Sequence, residues 1–169
     1  MTASRPLTHR LARRDDLDAI VAIYNSTVAS RVVTADTEEI PVASRQAWFD
    51  DHDPQRRPLW VAEQDGVIQG WLSYSNFYGR PAYAGTAELS IYLHAAHRGK
   101  GLGRYFLEQA IQHAPQIGVR TLLGFIFGHN APSLKLFDSF GFARWAHMPG
   151  VATLDGVERD LIILGKRVG

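Results

Sequence analysis

The sequence contains no cysteine, so disulfides, thiolate metal sites and a cysteine nucleophile are all excluded. It also has almost no net charge, because 18 lysine and arginine residues are balanced by 17 aspartate and glutamate residues. Such a chain is not expected to bind nucleic acid. Long apolar runs are missing too: no segment approaches the roughly 20 residues of a membrane span, and the N-terminus lacks a signal-peptide core. We therefore expect a cytoplasmic protein with neither a nucleic-acid nor a membrane partner.

The length of the chain indicates one domain. With 169 residues, it can bury about 70% of its unfolded surface without disulfides or metals. No internal repeat or low-complexity linker divides it. We expect residues 1–169 to form a single domain.

Residues 87–103 join a strand pattern to a glycine-rich turn that opens a helix. Apolar residues at 87, 89, 91 and 93 alternate with polar ones, which is typical of a half-buried strand. Glycines then occur at 99, 101 and 103, and apolar residues follow at helical spacing. Glycine lets the backbone approach an anion, and the first N–H groups of a helix point toward it. The segment therefore predicts a phosphate-binding turn.

Two well-known phosphate motifs do not fit this turn. A P-loop would need glycine where His94 stands and serine or threonine where Gly101 stands. A dinucleotide fingerprint would need glycine in place of Arg104.

The pattern that remains is R-x-x-G-x-G at Arg98, Gly101 and Gly103, and it resembles the acyl-CoA loop of the GNAT superfamily of N-acetyltransferases. A second segment strengthens the resemblance, because Asn130 and Ser133 open a helix that stops at Gly141. The resemblance implies acetyl-CoA as cosubstrate. The cofactor-binding residues that it implies are Ile91, Tyr92, Leu93, Arg98, Gly99, Lys100, Gly101, Leu102, Gly103, Arg104, Asn130 and Ser133.

Hydrophobic periodicity predicts the order β-α-α-β-β-β-α-β-α-β-β, an α/β fold with a mixed sheet and helices on both faces. The superfamily has the same topology. Asp65-Gly66 predicts a hairpin, and Ser44 is predicted to cap the second helix. The predicted strands include residues 8–11, 121–127, 142–147 and 159–164.

A narrower resemblance is to the phosphinothricin and methionine sulfone or sulfoximine acetyltransferases. It rests on Ile23-Tyr24-Asn25, the segment 45–49, R-x-A-Y at 80–83 and T-x-E at 86–88. It implies that Glu88 accepts the proton of the acceptor amine. It also implies that an amino-acid-like acceptor is held by Arg80, Tyr83, Phe77, Tyr78 and Thr34, and that the protein is a homodimer.

Two positions depart from this pattern. Phe137 stands where relatives have a tyrosine or histidine that can protonate the departing thiolate, and G-V-E-R-D at 156–160 replaces G-x-W-x-D. Two alternatives therefore stay open: acetylation of a protein N-terminus or lysine, and a non-catalytic acyl-CoA sensor. Seven histidines are present, but His94 and His97 lie at a strand end without an acidic cluster, so no metal site is expected.

Overall fold

A mixed sheet of seven strands organises the computed structural model, which describes residue 3 and residues 5–169. The strands are β1 (Thr8–Leu11), β2 (Leu59–Gln64), β3 (Val67–Asn76), β4 (Thr86–Leu93), β5 (Thr121–Phe127), β6 (Ala143–Leu154) and β7 (Val157–Arg167). Their order in the sheet is β1-β2-β3-β4-β5-β7-β6. The β4–β5 pair is parallel, and the other neighbouring pairs are antiparallel.

Four α-helices cover the two faces of the sheet: α1 (Leu17–Val28), α2 (Gln46–Asp50), α3 (Leu102–His113) and α4 (Ala131–Ser139). The apolar stripe of α1, including Ile20 and Ile23, packs on Val61 and Trp71. The opposite face is covered by α3 and α4. The predicted order of helices and strands is thus confirmed. Within the described part of the chain, no helix is long and apolar enough to cross a membrane.

The helix α3 is fixed to the sheet by apolar contacts and by one buried hydrogen bond. Phe106 and Leu107 are fully buried against the strands. The Tyr74 hydroxyl on β3 donates to the Ala110 carbonyl at 2.7 Å, which satisfies a buried polar group. The N-terminus of α3 is therefore held at the end of β4.

Two local predictions differ from the structure. Ser44 does not cap α2, because its hydroxyl donates to the Pro41 carbonyl within a preceding 3₁₀ turn. The last two strands are longer than predicted and form a hairpin at Asp155-Gly156, with φ angles of 52° and 77°. Positive φ at both turn residues is what a tight hairpin requires. Two register shifts in β6 interrupt the alternation that would have revealed its full length.

Candidate active site

A cleft opens where β4 and β5 separate. The ladder between them runs from the pair Thr86–Thr121 only to the pair Leu89–Gly124. On its other side β4 stays paired with β3 as far as Leu93. Beyond Leu89, the edge of β4 that faces β5 therefore has no strand partner, and its backbone groups can bind a ligand that contains amides.

This cleft has a volume of about 740 Å³. Its walls come from the divergent strands, the glycine-rich turn, the start of α4, the segment after α1 and the β6–β7 hairpin. Among the predicted site residues it is lined by Thr34, Glu88, Ile91, Tyr92, Leu93, Arg98, Gly99, Gly103, Asn130 and Ser133. The structure thus brings the predicted base and much of the predicted cofactor site together.

The glycine-rich turn has a left-handed backbone at two of its glycines. Gly99 and Gly101 have φ angles of 72° and 84°, in the left-handed region that favours glycine. The helix α3 follows at once, and its first residues have N–H groups without helical partners. An anion placed here meets backbone donors and the positive end of the helix dipole.

Four of the predicted cofactor residues are not among those that line the cleft: Lys100, Gly101, Leu102 and Arg104. Leu102 is 2% exposed and belongs to the core, while Lys100 is exposed. Arg104 donates to the Ser139 hydroxyl at 3.4 Å and lies over the Phe140 ring. Their backbone groups can still bind an anion in the turn. The charged side chains of Lys100 and Arg104 can attract it only over a longer distance.

Asn130 begins α4. Its Oδ1 accepts a hydrogen bond from the Ser133 N–H at 3.3 Å, the bond that defines a helix N-cap. Both residues line the cleft, so the cap fixes one of its walls.

Phe137 on α4 lines the cleft and packs against β5 at close range. A Cβ atom at Gly124 would lie 2.7 Å from Phe137 Cε1, so only glycine fits beside this ring. Phe137 is 5% exposed and has no polar atom that could give up a proton.

Glu88 lies on β4 beside the point where the strands part. It lines the cleft and is half-buried, and this burial raises the pKa of its carboxyl group above the ordinary value. Its cross-strand neighbour on β3 is Ser75. Farther along β4, Tyr92 stacks on Trp71 with ring centroids 4.6 Å apart, and burial is the main cause that raises the pKa of Tyr92. Glu88 is the carboxylate among the residues that line the cleft.

The α1–α2 loop (residues 29–41) and the β6–β7 hairpin cover one end of the cleft. Val32, Val33, Val151 and Ala152 contribute small apolar side chains to its lining. Thr34 is 6% exposed and hydrogen-bonds the Tyr24 hydroxyl at 2.5 Å. The lining of this covered end is therefore largely apolar.

Arg31 holds the loop to the hairpin. Its guanidinium donates to Asp155 at 2.9 Å and to the Thr37 carbonyl at 2.6 Å, and its own carbonyl accepts from His129 Nε2 at 2.7 Å. The backbone of Arg31 has a φ of 58°, which is unusual for a non-glycine residue. The loop is thus fixed to two other walls of the cleft.

The aromatic loop before β4 does not line this cleft. Phe77, Arg80 and Tyr83 line a separate depression of about 300 Å³, together with Arg56 and Arg57. Tyr78 is 76% exposed, with its ring 4.4 Å from that of Phe77. The loop nevertheless ends just before Thr86, two residues from Glu88, or about 7 Å along an extended strand.

Some cleft residues were not found from the sequence. Val32 and Val33 lie in an irregular loop, and Val151 and Ala152 lie beside a bulge in β6. The sequence signal that could have revealed the β6–β7 hairpin was Asp155-Gly156, because the same dipeptide at 65–66 predicted the β2–β3 hairpin. No group of three or more His, Cys, Asp or Glu side chains that could hold a metal ion occurs in residues 3 and 5–169.

The site fits an acyl-CoA. The turn with positive φ at Gly99 and Gly101 lets backbone amides reach a pyrophosphate, and the open edge of β4 can pair with an amide-containing arm. Strands that diverge beside a glycine-rich helix start define an acyl-CoA-dependent acetyltransferase. The chain belongs to the acetyltransferase (GNAT) family, which it matches over residues 20–142.

Particular relatives narrow the comparison. A Bacillus subtilis (strain 168) protein with the provisional name phosphinothricin acetyltransferase YwnH is 55% identical, over 96% of this chain and 99% of its own. The L-methionine sulfoximine/L-methionine sulfone acetyltransferase of Salmonella typhimurium is 33% identical, over 94% of this chain and 92% of its own. The crystal structure of a Sinorhizobium meliloti phosphinothricin acetyltransferase in complex with AcCoA is 28% identical, with a TM-score of 0.91 over 98% and 90% of the two chains.

Proposed function

We propose that this protein transfers the acetyl group of acetyl-CoA to the amine of a small amino-acid-like acceptor, of the phosphinothricin, methionine sulfone or methionine sulfoximine type. One observation carries the proposal: Glu88 lines the same cleft as the glycine-rich turn. A carboxylate is thereby available at the place where a cofactor arm leaving the turn would end. The Salmonella typhimurium relative is named for acceptors of this kind, and the Bacillus subtilis relative is provisionally so named, which supports the same class here.

Glu88 acts as the base in this proposal. An ammonium group must lose a proton before its nitrogen can attack a thioester, and acetyl-CoA, when bound, supplies that thioester. Because burial raises the pKa of Glu88, its carboxylate holds a proton more strongly than an exposed glutamate does. Phe137 cannot protonate the departing thiolate, so that proton comes from solvent or another donor.

The lining of the covered end favours a small acceptor. It includes the apolar residues Val32, Val33, Val151 and Ala152, and the Arg31–Asp155 ion pair joins the two covering segments. A protein terminus or lysine would need an open groove. An apolar lining suits the side chain of an amino acid or its analogue.

Recognition of the acceptor's carboxylate is assigned to Arg80 in this proposal. A guanidinium suits a carboxylate, and although Arg80 lines the separate depression, its loop runs directly into β4, whose first residue Thr86 is two residues from Glu88. Phe77, Tyr78 and Tyr83 lie on the same loop and supply apolar contact area. Thr34 contributes a buried hydroxyl from the opposite side.

The proposal extends to the state of the protein in the cell. Residues 1–169 act as one domain, because strands from both ends of the described chain share one sheet; residues 1, 2 and 4 lie outside the described part. A homodimer is supported by exposed Trp145 and Met148 on the edge strand β6. The cytoplasm is the expected location, because acetyl-CoA is the cosubstrate.

A thiol-release assay with acetyl-CoA tests the function. The panel contains phosphinothricin, methionine sulfone, methionine sulfoximine, ordinary amino acids, polyamines and peptides. We expect thiol release with the amino-acid analogues and none above background with peptides. Turnover of peptides alone would favour a protein substrate, and binding of acetyl-CoA without turnover of any acceptor would favour a sensor.

A further inference from the structure

Three arginines line the second depression, which lies at the end of β3 and shares no lining residue with the cleft. They are Arg56, Arg57 and Arg80, and the walls also include Phe77 and Tyr83. Within residues 3 and 5–169, none of the three arginines forms an ion pair with a carboxylate. The depression therefore collects positive charge that the described part of the chain does not neutralise.

Arg57 is the buried member of this group. It is 7% exposed, although arginine is almost never fully buried without a partner of opposite charge. Its guanidinium donates to three carbonyls, those of Arg56 at 2.7 Å, Ala84 at 2.8 Å and Thr86 at 3.4 Å. A guanidinium has five N–H groups, so some of them remain unused. One is the buried Nε–H, which has no hydrogen-bond partner in the described residues.

A buried cation without a counter-charge is costly for the folded protein. Burial and the neighbouring charge of Arg56 lower the pKa of Arg57. The side chain stays charged nevertheless, because arginine does not lose its proton in proteins. The three carbonyl dipoles offset part of the cost, whereas an anion would supply the full opposite charge.

We propose that this depression binds a small oxyanion, with the guanidinium groups of Arg57 and Arg80 as donors. A guanidinium presents its N–H groups as a fork that matches two oxygens of a carboxylate or phosphate group. The three carbonyl contacts hold the Arg57 fork in one orientation. Phe77 and Tyr83, with ring centroids 5.5 Å apart, add apolar contact area beside the charged groups.

The oxyanion can come from two sources. One is the carboxylate of the acceptor itself, in which case Arg57 is the buried partner of Arg80 in acceptor recognition, and this case rests on the proposed function. The other is a free anion such as inorganic phosphate, which would occupy a site of its own. In both cases the site reaches β4, because Arg57 donates to the carbonyl of Thr86, two residues from Glu88.

Titration with inorganic phosphate tests the site directly. The protein is first saturated with CoA, so that phosphate cannot occupy the glycine-rich turn, and the ionic strength is held constant. We expect the backbone amide NMR signals of residues 76–86 to shift and to saturate with phosphate. The apparent Kd should rise at least about tenfold in Arg57→Met, the loss expected for hydrogen bonds to a charged group. Arg144→Met, at an exposed position, is the control and should leave this Kd unchanged.

A second variant keeps the test valid if Arg57→Met does not fold. Arg80 is exposed, and its side chain makes no hydrogen bond in the described residues, so Arg80→Met should fold normally. It should also raise the Kd for phosphate at least about tenfold. Absence of saturable shifts in the wild-type protein overturns the proposal. An unchanged Kd in either folded variant overturns it as well.

Competition with the acceptor separates the two sources. The acceptor is the first one that the wild-type enzyme acetylates, and it is added to protein that holds CoA and phosphate. Displacement of phosphate identifies the acceptor's carboxylate as the ligand and supports the role of Arg80 in the proposed function. Simultaneous binding identifies a free anion and contradicts that role. Saturable phosphate binding by a protein that acetylates no acceptor overturns the proposed function and leaves this site supported.

Discussion

Replacing Glu88 with glutamine should change activity and stability in opposite directions. Glutamine keeps the shape of the side chain and one acceptor oxygen but cannot take a proton. Turnover should fall by about 10²–10⁴, which corresponds to roughly 2.7–5.5 kcal/mol of transition-state stabilisation. Cofactor affinity should not change, because the glycine-rich turn is untouched. The measurement is steady-state thiol release together with calorimetric titration of CoA.

The effect on stability follows from the raised pKa of Glu88. The folded protein binds this proton more tightly than the unfolded chain does, so the corresponding stability is present below 4.5, the ordinary pKa. It is lost as pH rises through the higher pKa of the folded state. At neutral pH the wild-type protein therefore keeps an ionised carboxylate in a half-buried site. Glu88→Gln removes that cost, so its thermal midpoint should exceed that of wild type at neutral pH and approach it in acid.

Thermal unfolding at several pH values decides the matter. Glu108→Gln, at an exposed position on α3, is the matched control and should change neither property. Near-normal turnover of Glu88→Gln would refute the assignment of the base. A stability difference that does not vary with pH would refute the account of its pKa.

Two other substitutions test the two ends of the site. Gly101→Ala places a side chain where φ is 84°, which costs about 1–2 kcal/mol, and it should weaken the binding of CoA measured by calorimetry. Gly66→Ala is the control, because it has a similar φ of 79° in a distant hairpin and should leave CoA binding unchanged. Arg80→Ala should raise the acceptor KM and leave CoA affinity unchanged. The rise in KM should correspond to a loss of roughly 1.5–3 kcal/mol of binding free energy, the value of a charged hydrogen bond. An unaltered acceptor KM would show that the carboxylate of the acceptor is bound elsewhere. Arg144→Ala, at an exposed position, is the control and should leave the acceptor KM unchanged.

Local patterns predicted the part of the site that lies on regular structure. The alternation along β4 correctly assigned Leu89 to the core and Glu88 to the other face, because one buried face imposes a period of two. The glycines after β4 predicted a turn that opens a helix, and α3 begins directly after Gly101. The strand 121–127 was predicted to the residue.

The remaining parts depend on contacts between distant segments. Val33 and Val151 both line the cleft although each lies in an irregular or bulged segment, so neither carries a periodic signal. His52 and Ser73 are 21 residues apart and look ordinary in the sequence, yet a hydrogen bond of 2.7 Å joins them. The same limit applies to Arg80, which a motif placed with the acceptor but which lines its own depression.

The contact between Gly124 and Phe137 means that residues at these two positions should change together during evolution. Any side chain at 124 would collide with the Phe137 ring, since even a Cβ atom would lie 2.7 Å from it. Conversely, a smaller residue at 137 would leave a void beside the glycine, at a cost that increases with its volume. Homologous sequences that carry a larger residue at 124 should therefore carry a smaller one at 137, and an engineer who enlarges residue 124 must reduce residue 137 at the same time.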